Sequence, residues 1–252
     1  MEWLVSGVVL LLTLAGALLG RRYGAKLPQH HLGEDSKYVV KGAMGMVATL
    51  AALVLGLVTA SAKSNFDDAQ DGVHRIAADI VGLDRLLVRY GPETAPIRGR
   101  AREALAMRID EAWPANPAAA TRESIERLTV AVESIEDAIA GLSPTTDAQR
   151  LFKQRALDMS ADLLHARWTV LTGADQAPQP VFVAVLVLWL VILLASFGVF
   201  APRNTLALYA IVACAVSVAS AILLIFELDR PFSGLIQLSG APLRIALSQI
   251  GA

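Results

Sequence analysis

One segment sets the architecture of this chain. Residues 38–90 read YVVKGAMGMVATLAALVLGLVTASAKSNFDDAQDGVHRIAADIVGLDRLLVRY. No proline interrupts the segment, so a single helix can run through all of it. At about 1.5 Å per residue this helix would be roughly 80 Å long, more than twice the roughly 30 Å hydrocarbon core of a bilayer. The segment therefore predicts a helix that begins in lipid and ends in water.

One face of this helix carries a stripe with a period of about 3.5 residues. In its first half the stripe residues are small, and a lysine follows them: Gly42, Gly45, Thr49, Ala52, Gly56, Thr59 and Lys63. In its second half they are large and apolar: Phe66, Val73, Ile76, Ile80, Leu83 and Leu87. Helices in lipid pack through small residues, whereas helices in water bury large apolar ones. We interpret the small residues as a pore-lining or helix-packing face.

Composition places the chain among membrane proteins. It has 252 residues, of which 55% are hydrophobic, and a mean hydropathy of +0.52. A net charge of −1 gives no reason to expect a nucleic acid partner. The single cysteine, Cys214, excludes an intrachain disulfide and leaves the redox compartment open.

Three further apolar runs predict transmembrane helices. Residues 3–20 are apolar and end at Arg21 and Arg22, whereas a cleaved signal peptide carries its positive charges before the apolar core. Residues 181–200 and 205–226 are long enough for two more spans. We therefore expect an all-α integral membrane protein with four transmembrane helices.

The charged middle of the chain predicts a helical bundle inserted between the second and third spans. Its four amphipathic stretches are residues 63–90, 93–112, 121–142 and 146–171, joined by short loops. The first of them continues the second span. The expected parts are residues 1–62 with two spans and a short basic loop, 63–175 with the bundle, 176–228 with two spans, and 229–252 with a juxtamembrane segment and an amphipathic tail helix. That tail would lie on the membrane surface or against the bundle.

Basic residues near the membrane predict the orientation. One side of the predicted spans carries Arg21, Arg22, Lys26, Lys37, Lys41 and Arg203. Loops rich in lysine and arginine stay in the cytoplasm. We therefore expect the bundle and both termini on the opposite, extracytoplasmic side.

No catalytic signature is present, so we expect no enzyme, no metal site and no cofactor. The sequence contains no His-Glu-x-x-His motif, no glycine-rich phosphate loop and no nucleophile elbow.

Two groups of charges are candidate sites. Arg85, Arg89, Arg98 and Arg102 would form an anion-attracting rim at the tip of the bundle, unless Asp84, Glu93 and Glu103 pair with them. The second group lies at the membrane edge and comprises Glu227, Asp229, Arg230, Pro231 and Phe232. It is either an interfacial ion pair that fixes the depth of the last span or a constriction or gate.

Four stretches give the chain a family resemblance. They are HLGEDSK at 31–37, VKGAMGMVATLAALVLGLVTASAKS at 40–64, LDRLLVRYGP at 83–92 and DRPFSG at 229–234. With them the chain resembles the bacterial bestrophin-like membrane proteins over nearly its whole length. That family is distantly similar to bestrophins, which are pentameric anion channels with four spans and a large helical domain. The resemblance implies a bacterial inner membrane protein, whose bundle our charge count places in the periplasm.

Two functions follow as hypotheses. The first is a homo-oligomeric channel for inorganic anions in the lipid bilayer, in which the second span lines or buttresses a central axis. The second is a non-conducting envelope scaffold or sensor whose bundle binds a partner.

Overall fold

The described part of the chain confirms the all-helical class with four candidate spans. The computed structural model describes residues 2–28, 33–113, 134–173, 180–202, 204–229 and 234–251. Four of its helices are long and apolar enough to cross a membrane. The chain divides into two compact units, one formed by Met1–Phe66 and Gln176–Ile236 and the other by Asp67–Asp175 and Gln237–Ala252. After the positions expected from the sequence, we call them the membrane unit and the extramembrane unit.

The helices follow the predicted order. They are α1 (Glu2–Gly24), α2 (Glu34–Tyr90), α3 (Ala95–Ala112), α4 (134–140), α5 (Asp147–Gly173), α6 (Pro180–Phe200), α7 (Thr205–Leu228) and α8 (Ala241–Gln249). A 3-10 turn, Pro92–Thr94, separates α2 from α3. Most of the predicted stretch 121–142 lies outside the described residues, and α4 is its described helical part.

Helix α2 is continuous over 57 residues, which corresponds to about 85 Å. It begins at Glu34 rather than at residue 38, with Glu34 and Asp35 in its first turn, where negative charge suits the helix dipole. The helix ends at Tyr90 because Gly91 has a φ of +149°, outside the helical range. Thr94 Oγ1 lies 2.6 Å from the carbonyl oxygen of Leu87 and closes this end.

In the membrane unit, α1 and α6 pack with their backbones in contact. A Cβ atom added to Gly20 would collide with the carbonyl oxygen of Ala195, and one on Gly198 with that of Ala17. Gly16 and Gly24 also face α6, so α1 presents a glycine at every fourth position. Small residues at this spacing let two helices in lipid approach closely.

The core of the membrane unit also includes α2 and α7. Its main cluster comprises Val9, Ala51, Val58, Ala62, Leu186, Leu190, Leu193, Ile222, Ile225 and Leu228. A smaller cluster comprises Ala17, Leu194, Ile211 and Ala215. Four helices therefore contribute to the packing of this unit, α2 with one face only.

In the extramembrane unit, four helices share one apolar core. Its buried residues are Leu83 and Leu87 from α2, Ile97 and Ala104 from α3, Ile135 and Ile139 from α4, and Ala156 from α5. Polar side chains fix the loop before α5. Gln149 Nε2 donates to the carbonyl oxygen of Tyr90 at 3.1 Å, and Lys153 Nζ donates to that of Ala140 at 2.6 Å. These bonds satisfy carbonyl groups that helix ends leave free.

The chain's last residues pack in the extramembrane unit, against α3. Leu243, Ala246 and Ile250 are buried, which accounts for the amphipathic pattern of the tail. Arg102 Nη1 donates to the carbonyl oxygens of Leu247 and Ile250 at 3.0 and 2.5 Å, at the end of α8. Of the two placements open from sequence, a position against the bundle is the one observed.

Candidate functional site

The membrane half of α2 is the least covered of the four candidate spans. In its most apolar window only 6% of the residues are buried within the chain, against 28–33% in the other three spans. The difference means that most of the surface of this helix meets something other than its own chain. Its side chains divide into three faces of different chemistry.

The first face packs inside the chain. Ala51, Val58 and Ala62 are buried in the main core of the membrane unit. Met44, Val47 and Val54 lie beside them, partly buried. This face anchors α2 to its own unit.

The second face is the stripe of small residues predicted to line a pore or pack against a helix, and we call it the small face. Its exposed members are Gly42, Gly45, Thr49, Ala52 and Gly56, whereas Thr59 is half-buried. A Cβ atom added to any of the three glycines would meet nothing within 4 Å. Thr49 Oγ1 donates to the carbonyl oxygen of Gly45 at 2.9 Å, and Thr59 Oγ1 to that of Leu55 at 2.8 Å. The hydroxyl groups therefore have acceptors within the helix, and their oxygens keep lone pairs for another donor.

The third face is large and apolar, and we call it the bulky face. It consists of Val39, Met46, Leu50, Leu53 and Leu57, all exposed. At about 100° per residue, each of the three faces occupies about a third of the helix circumference.

A lysine stands at each end of the small face. Lys41 and Lys63 are both exposed, and the helix between them carries no charge. Their Cα atoms are about 33 Å apart along the axis, close to the thickness of the hydrocarbon core. Lys63 Nζ lies 5.9 Å from the ring centroid of Phe66. Both ends of the face thus carry positive charge, at about the separation of the two edges of a hydrocarbon core.

The predicted membrane-edge group is described in part. Glu227 is only 3% exposed, and its Oε2 accepts a hydrogen bond of 2.6 Å from the backbone N–H of Leu235. Its Oε1 is buried and has no hydrogen-bond partner among the described residues. Asp229 is also buried. Arg230, Pro231 and Phe232 lie outside the described residues, so the gate and the interfacial ion pair both stay predictions.

The four arginines of the predicted rim have different surroundings. Arg98 pairs with the buried Asp84, Nε to Oδ1 at 2.8 Å and Nη2 to Oδ2 at 3.2 Å. Arg102 donates to the tail, as described above. Arg85 and Arg89 are exposed on α2. An anion-attracting rim stays a prediction, with Arg85 and Arg89 as its exposed members.

Sequence reasoning missed three features of these sites. The glycines of α1 are visible at four-residue spacing, which is the signal of a close helix contact. The hydrogen bond from the Leu235 N–H to Glu227 crosses the turn after α7, and the contact of Trp113 with the tail joins residues far apart in sequence; no local pattern predicts either of them. Within the described ranges, no three histidine, cysteine, aspartate or glutamate side chains come together as metal ligands.

Comparison with known proteins identifies a family for this chain. A family model described as "Bestrophin-like domain" matches residues 7–243 of the chain. No curated protein and no solved structure matches it.

Proposed function

The chain belongs to the bestrophin-like family, and from this premise we propose that it is a homo-oligomeric membrane channel for inorganic anions. In this proposal the small face of α2 lines the pore or buttresses it against neighbouring copies. The channel-type character of the family supports transport rather than catalysis.

The exposed glycines of α2 are the observation that carries the proposal. A glycine inside a helix is less favourable than alanine by about 1 kcal/mol. On α1, Gly20 offsets this cost because it allows the backbone of α6 to approach. On α2, Gly42, Gly45 and Gly56 allow no such contact within the described chain. The stabilisation that offsets the cost of these three glycines therefore comes from outside the protomer. Its source is contact with the backbone of a second copy or with an aqueous pore.

The contrast between two faces of α2 supports a pore on the small face. Large apolar side chains such as Leu50 and Leu53 suit lipid or a tightly packed neighbour. Glycine, alanine and threonine leave room for hydrated ions, and the threonine oxygens can accept hydrogen bonds from the water molecules around an anion. The bulky face therefore contacts lipid or a neighbouring subunit in this proposal, and the small face lies toward the central axis of the oligomer.

The charges at the ends of the small face support anions as the permeant ions. Lys41 and Lys63 are both exposed at the edges of an uncharged helix segment. Positive charge at a pore mouth raises the local concentration of anions.

Planar-bilayer recording of the purified oligomer tests this function. We expect chloride conductance, and we expect Lys63→Glu to lower the anion-to-cation permeability ratio. Arg150→Glu is the matched control, because Arg150 is a solvent-exposed cation on α5 in the extramembrane unit. Silence of a verified oligomer across a range of anions and cations would remove the channel and leave the non-conducting scaffold or sensor.

A further inference from the structure

We propose that the outward face of α1 binds an anionic phospholipid. The headgroup lies at Arg22 and Lys26, and the acyl chains lie along the apolar side chains that precede them on the helix. The whole site belongs to the membrane unit and uses no residue of the small face of α2.

The contact of α1 with α6 decides which side of α1 is open. Gly16, Gly20 and Gly24 lie against α6. At about 100° per residue, positions two residues away from these glycines lie on the opposite side of the helix. Exposed apolar side chains occupy that side and its flanks: Leu4, Val8, Leu11, Leu12, Leu18 and Leu19. Helix α1 therefore presents a continuous apolar stripe outside its own unit.

The stripe ends in two cations. Arg22 stands two residues from both Gly20 and Gly24, so it lies on the side away from α6, and it is exposed. Lys26 is exposed in the turn after the helix, where its backbone N–H donates to the carbonyl oxygen of Tyr23 at 2.8 Å. Among the residues that the structure describes, no carboxylate forms an ion pair with either side chain. Their charge is available to an external anion.

The dimensions of the stripe match one leaflet of a bilayer. Leu11 and Arg22 are about 16 Å apart along the axis, about half of the roughly 30 Å hydrocarbon core. With Leu11 near the bilayer centre, Leu18 lies beside the acyl chains and Arg22 lies at the headgroups. Tyr23, which is 65% exposed beside Arg22, is a residue type enriched at that depth.

An anionic phospholipid fits both parts of this face. Its phosphate accepts hydrogen bonds from a guanidinium and an ammonium group, and its chains cover the apolar stripe. Phosphatidylcholine also has a phosphate, but its choline group carries a positive charge that Arg22 and Lys26 repel. A soluble phosphate leaves the leucines of the stripe uncovered. The order of apolar and basic residues therefore favours a lipid with a net negative headgroup.

Native mass spectrometry of the full-length protein tests the site. The protein is equilibrated in detergent micelles with equal amounts of phosphatidylglycerol and phosphatidylcholine, and the retained lipids are counted. We expect phosphatidylglycerol to be preferred about 25-fold, because each basic residue at a membrane surface contributes about a factor of five. Arg22→Gln and Lys26→Gln should each lower the preference about fivefold, and the double variant should retain the two lipids about equally.

Lys37→Gln is the matched control. It also removes one positive charge from the membrane unit, but Lys37 already pairs with Glu34 at 2.9 Å, so the preference should persist. An equal loss in Lys37→Gln would reduce the effect to net charge and overturn the proposal. Equal retention of the two lipids by the wild-type protein would overturn it as well. If Arg22→Gln does not fold, Lys26→Gln, outside the helix, is sufficient for the test.

Glycerol phosphate distinguishes a lipid from a free phosphate. We expect it to leave the bound phosphatidylglycerol in place, because it has no chains to cover Leu11 and Leu18. Displacement would identify a site for soluble phosphate and would contradict the proposal. The measurement requires no conductance, so its result is independent of whether the protein is a channel.

Discussion

Arg98 holds the carboxylate of Asp84 in a parallel pair of hydrogen bonds, and this pair joins α3 to α2. Asp84 Oδ1 also lies 3.4 Å from the backbone nitrogen of Gly251, near the end of the tail. One buried carboxylate on α2 thus contacts both α3 and the C-terminal segment. Two-point pairing of a guanidinium group with a carboxylate fixes orientation as well as distance.

The Asp84–Arg98 pair should contribute strongly to the stability of the extramembrane unit. Asp84→Ala leaves a mostly buried guanidinium group without its partner, and we expect a loss of about 3 kcal/mol. Urea unfolding of the full-length protein in detergent, followed by circular dichroism, measures it. Asp147→Ala is the control, because Asp147 pairs with Arg150 at an exposed site and should cost less than about 0.5 kcal/mol. Equal losses in the two variants would contradict this prediction.

Asp79 should make the extramembrane unit less stable at neutral pH than in mild acid. Burial, and then the nearby charge of Asp162, raise the pKa of Asp79 above its ordinary value of 3.8, although Arg75 opposes the shift. The folded state therefore holds this proton to higher pH than the unfolded chain. The free energy of unfolding consequently falls as the pH rises from 3.8 through the raised value.

Replacement of Asp79 by asparagine tests this relation. Asp79→Asn should raise the melting temperature at neutral pH, and the gain should fade as the pH falls to about 4. Asp68→Asn, at an exposed position of the same helix, controls for the loss of one charge. A gain that is constant between pH 4 and neutrality would mean that Asp79 is not the titrating group.

The contact between α1 and α6 should not tolerate a methyl group. Gly20→Ala would force the two backbones apart, and overpacking of this kind typically costs about 1–3 kcal/mol. Gly7→Ala on the same helix is the matched control, because its Cβ atom would meet nothing within 4 Å. We expect Gly7→Ala to be neutral or to stabilise the protein slightly. Thermal unfolding in detergent compares them, and similar melting temperatures would refute the backbone contact.

The small face should control oligomerisation or conduction. Gly45→Leu and Gly56→Leu would fill the space left for a neighbouring helix or a pore, so we expect a smaller oligomer or a lower conductance. Leu53→Ala, on the bulky face, is the matched control and should change both less. Size-exclusion chromatography with light scattering and bilayer recording give the two readouts. If both glycine variants keep the oligomer and its conductance, the small face contacts lipid.

Thiol labelling tests the orientation expected from the basic residues. In a Cys214→Ala background, Ser143→Cys places a thiol at an exposed position between α4 and α5. We expect it to react with a membrane-impermeant reagent in intact spheroplasts, whereas Lys26→Cys, in the exposed loop after α1, should react only after lysis. The reverse pattern would place the extramembrane unit in the cytoplasm.

The helices could be predicted from sequence because their signals are local. Continuous apolar runs indicate the four spans, and the absence of proline between residues 38 and 90 indicates the continuity of α2. The end of α2 at Tyr90 follows from the Gly91-Pro92 pair. Each of these features depends on residues within a few turns of one another.

The surroundings of the candidate sites were harder to predict because they depend on contacts distant in sequence. Arg98 was a candidate both for the anion-attracting rim and for pairing with a carboxylate, and the fold pairs it with Asp84. The amphipathic pattern of α8 indicates that one face is buried but not which surface covers it. That surface belongs to α3, and Trp113 and Arg102 hold the tail there by hydrogen bonds to its backbone. The small face was visible in sequence, whereas its exposure within the protomer became visible only when the other faces were placed.

The glycine contact between α1 and α6 also limits which motions the membrane unit can make. A sliding movement of α1 along α6 by one residue would drive the Cβ atom of a neighbouring side chain into the carbonyl group that now faces Gly20 or Gly24. The glycine contact thus holds α1 and α6 in a single axial register. Within the membrane unit α2 has no such backbone contact, and its own chain covers only one of its faces.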